Sequence, residues 1–375
     1  MVRLGDVATY INGYAFKPSD WSDTGLPIIR IQDLTGNSYQ ANRYNGEYSS
    51  KYEVNNGDVL ISWSASLGVY VWHGEKALLN QHIFKVVFNK EEISKNFFVY
   101  QVENILEKAA SEAHGATMKH LTKPVFDALP FYLPSIEEQR RIAATLDKVT
   151  DLISKRRQQL DKLDELVKAR FVEMFGDPLR DSHKYQKVPL GTVANVGSSK
   201  RIFEKEYVSD GVPFYRTKEI VELAKGHKIT TELFISKKRF NEICEEYGKP
   251  QKGDLLISAV GTIGVIWIVD GKNDFYFKDG NLLRVAFSNR FDPVYLKMLL
   301  EALITEYKKK MAAGTAYAAL TISILKEIPV YLVPLDEQKN FSAFVEQTEK
   351  VKSAISHSLE KLETLKKALM QEYFN

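Results

Sequence analysis

Apolar residues recur along 142–167 at Ile142, Leu146, Val149, Ile153, Leu160, Leu163 and Val167, in alternating steps of four and three, with Arg156 filling the one gap. A second stretch repeats the pattern at Phe341, Phe344, Val351, Ile355, Leu362, Leu365 and Leu369, with Thr348 and Ser358 in the seam. Such a/d heptads, held over about four heptads with dense charge of both signs between them, predict two long helices. The first, over 137–173, would be roughly 55 Å long at ~1.5 Å per residue. Each helix packing on its own domain is the alternative. A seam this narrow and long suits another helix better, so we expect the two to pair with each other, antiparallel.

The rest of the chain reads as short β-rich runs and shorter helices. Asp58–Ser62 and Asp254–Ser258 follow Gly-Asp turn signals and read as strands, with Val69–Trp72 and Val265–Val269 as the next ones. Helical stretches follow over 94–112 and 292–311. After each come a Gly loop, a short helix and an apolar strand ending at Pro, Leu129–Pro134 and Ile328–Pro334.

These elements come in pairs because the chain repeats itself. Val2-Arg-Leu-Gly-Asp-Val7 returns as Val188-Pro-Leu-Gly-Thr-Val193, and Gly25-Leu-Pro-Ile-Ile-Arg30 returns as Gly211-Val-Pro-Phe-Tyr-Arg216, both 186 residues later. Gly57–Ser62 matches Gly253–Ser258 at an offset of 196, and Glu138-Gln139 matches Glu337-Gln338 at 199. The order of the blocks is kept and the offset drifts only through small insertions. The unit is about half the chain, far longer than a solenoid repeat. The fold class is therefore α/β (α+β): two similar mixed domains in tandem, each followed by a long helix. The boundaries read as 1–135 for the first domain, 136–187 for the first helix and linker, 188–335 for the second domain and 336–375 for the second helix.

Three blocks carry a resemblance: Leu121–Gln139, Leu320–Gln338, and the exit from the first helix, Phe171-Val-Glu-Met-Phe-Gly-Asp-Pro178. In combination they resemble the specificity subunit of type I restriction–modification systems, over the whole chain. The Pro before the helix falls one residue later in the second copy, at Pro334 against Pro134, which affects only the turn. The resemblance implies two target-recognition domains, each reading one half of a split, asymmetric sequence in double-stranded DNA. It implies that the paired helices set the distance between the halves and dock two methyltransferase subunits, which two restriction subunits join when present. It also implies no catalytic site and no cofactor in this chain, with S-adenosylmethionine held by the partner methyltransferase subunits.

Composition supports a folded chain: 375 residues and 44% hydrophobic content suffice for two cores. The first residues show no basic segment followed by an apolar one, and no run of about 18 apolar residues occurs, so a cytoplasmic protein without membrane spans is expected. The single cysteine, Cys244, excludes an internal disulfide and a Cys-based zinc cluster, and reads as a packing residue. The net charge of +3 does not argue for nucleic acid by itself. Residues 1–136 carry 12 Lys and Arg against 14 Asp and Glu, whereas 188–335 carry 21 against 17. Basic surface must then be local.

An enzyme would need a constellation that is missing. There is no Asn/Asp-Pro-Pro-aromatic motif, no Gly-rich cofactor loop, and no His-Glu-x-x-His. Gly261–Gly264 has no Lys after it, so it is not a phosphate-binding P-loop. Asp336-Glu-Gln-Lys339 resembles a nuclease fragment, but the first copy has Arg140 in place of the Lys, and the acids suit the first turn of a helix. An adaptor that only assembles a complex is the remaining alternative.

Contacts to DNA are expected from loops that differ between the copies. Four regions qualify. The first is Arg30 and Gln32, with Arg216, Thr217 and Lys218. Arg can pair with guanine and Gln with adenine, and a surface salt bridge is the plain alternative. The second is Ser62 and Ser64, with Ser258 and Thr262, where an ordinary tight hairpin is the alternative. The third is Gln81 and His82, with Lys278 and Asn281, where turn chemistry is the alternative. The fourth is His114, Thr117 and Lys119, with Thr315 and Tyr317, a Gly turn opening a short helix that suits a phosphate. Lys308–Lys310 adds phosphate attraction or is simply a solvated face. Trp63, Trp72, Trp267 and Tyr276 read as core.

Overall fold

The computed structural model describes residues 1–36, 42–112, 122–180, 184–312 and 319–374. The chain folds into two compact units, Met1–Gln158 with Ser356–Asn375, and Gln159–Ile355. This division differs from the expected one of two domains and two separate helices. Each unit takes in one part of each long helix, because the inward face of the helix completes that unit's core.

In the first unit, strands Thr9–Asn12, Ile83–Val87, Val59–Ser62 and Gly68–Val71 lie side by side in that order, all antiparallel. Every residue of Val59–Ser62 is buried, as a strand covered on both faces must be. The period of two sends its side chains to opposite faces. Val59 and Ile61 join Phe84, Phe97, Phe98 and Phe131 on the helical side. Leu60 points the other way, into a cluster with Ile29, Val54 and Leu79. That second cluster lies beneath a smaller sheet of Arg43–Tyr44, Leu26–Ile29, Ala77–Leu79 and Glu53–Val54, in which Leu26–Ile29 runs parallel to Ala77–Leu79.

The second unit repeats the plan. Val196–Gly197, Leu282–Val285, Leu255–Ser258 and Ile266–Ile268 form its main sheet. Leu255 and Ile257 face the helical core and Leu256 faces Tyr215, Phe275 and Phe277. In each unit a short N-terminal strand pairs antiparallel with the strand that precedes a long helix, Val2–Arg3 with Pro130–Phe131 and Lys187–Pro189 with Pro329–Tyr331. These last strands are shorter than the apolar runs predicted.

The repeated Glu-Gln pair has a structural role. Gln139 and Gln338 are fully buried. Gln139 Oε1 accepts from Ser94 N at 2.9 Å, and Gln338 Oε1 accepts from Asp292 N at 2.7 Å. Each Gln thus caps the helix of its own unit, Lys95–Glu112 or Pro293–Ala312, and satisfies orphan amides there. The neighbouring Glu337 accepts from the Tyr185 hydroxyl at 2.7 Å and lies 3.7 Å from the Lys184 ammonium.

Both long helices are present, Ile136–Phe175 and Leu335–Phe374, and within each unit they run antiparallel. In the first unit Arg157 meets Glu363 at 2.6 Å, and Arg141 lies over the Tyr373 ring. In the second, Asp164 meets Lys352 at 2.7 Å, and Phe171 packs on Phe341. Along the first seam Ile142, Leu146, Val149, Ile153 and Val167 are buried, and Leu160 and Leu163 half-buried. The second seam is less regular. Phe344, Ile355, Leu362 and Leu369 are half-buried, but Val351 and Leu365 are 46% and 47% exposed. The seam instead runs through Lys352, Leu359 and Lys366, one residue on. Lys352 and Lys366 lay their aliphatic stems along it and place their ammonium groups on Asp164 and Glu103. A pattern search that admits only apolar residues passes over such lysines.

Candidate nucleic-acid interface

Three of the four expected regions converge at one end of each unit. In the first unit the parallel strands Leu26–Ile29 and Ala77–Leu79 end together, and Asn80 N donates to Ile29 O at 3.2 Å, just before Arg30. Trp63 N donates to His82 O at 3.2 Å, which ties the Ser62 hairpin to the same turn. The second unit makes the same two links: Lys278 N to Tyr215 O at 2.9 Å and Ala259 N to Asn281 O at 2.8 Å. Leu320 N also donates to Ala259 O, and Lys308 Nζ donates to Ile263 O. The Lys308 link brings the basic Lys308–Lys310 run to this end of the second unit. His114, Thr117, Lys119, Thr315 and Tyr317, the fourth region, lie outside the described residues.

Individual residues differ in what they can offer. Arg30 and Arg216 both stand at the start of a short helix and turn back on an acid three residues on. Arg30 Nε lies 3.8 Å from Asp33, and Arg216 makes bonds of 3.0 and 3.4 Å to Glu219. Burial pushes the Glu219 carboxyl up, but the Arg216 guanidinium and backbone N–H donors outweigh it and hold it below the usual carboxylate range. The hydrogen bond to Glu219 raises Arg216 in turn. Both arginines thus lie against a nearby acid. Gln32 and Thr217 are half-buried beside them, and Lys218 is exposed.

The hairpin serines are also structural. Ser62 and Ser258 are fully buried. Their hydroxyls close the hairpins by donating to Ser66 O and Thr262 O, and Ser258 also accepts from Val265 N at 2.9 Å. Ser64 is buried as well. What the hairpins expose are their tips, Ala65 and Ser66 in one and Thr262 in the other. Ala65 holds a φ of 60° where the second copy has Gly261 at 74°, a conformation that costs an alanine of order 1 kcal/mol. His82 is likewise left-handed, with a φ of 71°. Gln81, His82, Lys278 and Asn281 are half-buried at the turns, with their main chains occupied by the links above.

Sequence reading missed the segment that lies against the turn. In the second unit Ser198 and Ser199 donate to Leu282 O and Phe277 O, and Arg201 pairs with Asp279 at 2.8 Å. Lys200 donates to the Tyr247 hydroxyl, which raises its pKa. Ser-Ser-Lys-Arg after a glycine was a legible signal of hydroxyls and charge. In the first unit the same place holds Tyr14, whose carbonyl accepts from Gln81 N at 2.8 Å. The four aromatics expected in the core are there: Trp63 stacks on Phe84, Trp72 and Trp267 pack under the small sheets, and Tyr276 is buried. Cys244 packs beside Phe240 and Ile243, and burial pushes its thiol pKa up, away from the thiolate a nucleophile needs.

The geometry suits a surface that meets a ligand through several loops at once. Loops from distant parts of the sequence are gathered at one end of a rigid sheet, twice, with different side chains each time. Comparison with known proteins agrees. The chain is 24% identical to the EcoBI type I restriction enzyme specificity subunit of Escherichia coli, over 100% of this chain and 85% of that protein. It is 29% identical to a putative type I restriction enzyme specificity subunit of Haemophilus influenzae, over 89% and 86%. The fold matches the specificity subunit of M. genitalium with a TM-score of 0.55 at 14% identity, covering 100% of this chain and 95% of that one. It matches a chain from a structure of type I restriction–modification complex assembly and conformational transition at 0.59, with 18% identity and 100% and 97% covered. The family model for the type I restriction modification DNA specificity domain matches twice, over residues 1–164 and 182–367, and the chain belongs to that family, as a non-catalytic specificity subunit with two DNA-recognition domains.

Proposed function

We propose that each unit reads one half of a bipartite, asymmetric DNA target and that the long helices fix the gap between the halves. The observation that carries this is the doubled cluster of loops on one repeated frame. The frame is shared down to the residue, Leu60 with Leu256 and Gln139 with Gln338, while the loops it presents differ. One frame with two sets of side chains reads two different half-sites. Sequence would be read by side chains at the turn and the exposed hairpin tips, above all His82, Lys278, Asn281 and Thr262, while Lys218, Lys200 and Lys308 attract phosphate. A continuous helix of 40 residues, ~60 Å long at ~1.5 Å per residue, is stiff enough to act as a ruler.

Docking of two methyltransferase subunits, which would hold S-adenosylmethionine and modify adenine, is supported by a second repeat. Leu152 and Leu166 are 46% and 48% exposed on one long helix, and Val351 and Leu365 are 46% and 47% exposed on the other. The pairs stand 199 residues apart, the same offset as the Glu-Gln repeat. Exposed apolar residues repeated in register suit two copies of one partner. Restriction subunits would join that core. No helix among the described residues is long and apolar enough to cross a membrane. The test is co-expression with a methyltransferase subunit followed by long-read mapping of adenine methylation. One split motif with unlike halves and a fixed gap is expected. Methylation without any split motif would sink the proposal.

A further inference from the structure

The first unit carries an open aromatic slot that nothing above uses. Tyr14, Phe16, Tyr44, Tyr48 and Tyr52 line a cavity of about 390 Å³, with Lys51 at its rim. Tyr14 and Tyr48 are 45% and 39% exposed, whereas Phe16 at the base is 9% exposed. The rings pack on one another: Tyr14 meets Phe16 edge-on at 4.9 Å and Tyr52 at a tilt at 5.5 Å, and Phe16 meets Tyr44 edge-on at 5.2 Å.

The repeat shows what this place is in the other unit. Phe16, Ile28 and Leu78 form a small cluster. Its counterpart is Ile202, Phe214 and Tyr276, matched by position and by the same strand pairing. In the second unit that cluster is finished by Phe240 and Ile243 of the helix Lys237–Tyr247. Between Arg43–Tyr44 and Val59–Ser62 the first unit has the short turn Ser50–Tyr52 and the strand Glu53–Val54 in place of that helix. There Tyr44 and Leu26 pack against the cluster, and Tyr14 packs on Phe16. An open slot lined by aromatic rings thus stands beside a cluster that the second unit covers with its own helix.

The slot adjoins the reading turn. Tyr14 N donates to Leu79 O at 2.9 Å, and Gln81 N donates to Tyr14 O at 2.8 Å. Gly13 permits this approach, since a Cβ there would stand 1.9 Å from Asn80 O. The Lys51 ammonium sits 4.8 Å over the Tyr52 ring and makes no ion pair among the described residues, so it is available to a phosphate. Glu47 also lines the slot and offers a carboxylate to base N–H groups.

We propose that this slot receives one unstacked nucleobase of the bound DNA, stacked on Tyr14 and Tyr52 with its phosphate near Lys51. The proposal rests on the reading of the first unit as a DNA-recognition domain. Base–aromatic stacking tolerates any base because every base has a π face. Taking a base from the duplex is easiest where it is already mispaired.

The test uses the full chain with its methyltransferase partner and a series of duplexes, each with one mismatch in or beside the half-site read by the first unit. One mismatch position is expected to tighten binding by about 10-fold. Y14A/Y52A should abolish that preference, and Y14F/Y52F, which keeps the rings and serves as the folding control, should retain it. K51A should weaken binding to all duplexes alike. Absence of any tightening mismatch overturns the slot, as does a preference that survives loss of the rings. Weakened methyltransferase association in Y14A/Y52A, with DNA binding unchanged, assigns the slot to a partner side chain and also overturns it. A wild-type complex with no sequence preference on any duplex overturns the underlying reading instead.

Discussion

The two units share a frame and differ in the layer laid over it. Leu60 and Leu256 divide two clusters in the same manner, and Asp33 and Glu219 each accept from the main-chain N–H of an arginine three residues back. Beyond that layer they part. Where the first unit has Tyr14 and an open slot, the second has Lys200 bonded to Tyr247 and a helix that buries Phe240. The second domain also carries the excess of basic residues. The sheet and its helices are thus the part the two units share, and the units differ through insertions at one end. A rigid base tolerates such changes because loops carry few of the contacts that stabilise the core.

The comparison can be broken outright. Replacing residues 188–335 by the same region of a relative should change one half of the methylated motif completely and leave the other half and the gap as they were, read by long-read methylation mapping. A change in both halves would mean that the units do not read independently. Next in size is Phe240→Ala. Phe240 is buried in a cluster with Phe214 and Ile235, so the loss should be about 3–5 kcal/mol in urea unfolding. Tyr14→Ala, in the slot of the first unit and 45% exposed, should stay within about 1 kcal/mol. Equal losses would show that the slot is as well packed as its counterpart.

A smaller effect is expected at the repeated ion pair. Glu219 is 3% exposed on its side chain and Asp33 is 19% exposed. Glu219→Gln should cost roughly 2 kcal/mol, reduced from the value for a fully buried pair by the partial exposure of Arg216, and Asp33→Asn should cost less. The folded Glu219 carboxyl titrates below its unfolded value. Its contribution is then fully present above the unfolded carboxylate pKa of ~4.3 and lost as pH falls through the lower, folded value. Denaturant midpoints measured down the acid limb should show that component in the wild type and not in E219Q. The smallest change in stability, within about 0.5 kcal/mol, is expected for Leu152→Ser and Val351→Ser. Both should nevertheless weaken methyltransferase binding in co-purification, and to a similar degree if the two surfaces dock copies of one partner.

Much of this molecule was legible before folding. The duplication, both long helices, the strands at 59–62 and 255–258 and the helices at 95–112 and 293–312 follow from local signals: period, turn residues and repeated blocks. The candidate site was legible only by region. Arg30, Arg216, Ser62 and Ser258 have donor chemistry that suits DNA, and the fold spends it on internal acids and carbonyls. Lys352 and Lys366 read as surface residues, and the helix pair uses their stems as seam.

Which segments become helix or strand was thus written in the sequence, because those outcomes depend on neighbours a few residues apart, and the doubling was written there too, because the same blocks recur in the same order 186 to 199 residues on. Tertiary structure alone decided which polar groups stay available, how Tyr14, Arg30, Trp63 and His82 are brought together, and that one repeat closes with Phe240 what the other leaves open. Those outcomes depend on contacts between residues far apart in the chain, and a side chain's free donors are known only once every neighbour that could take them is in place.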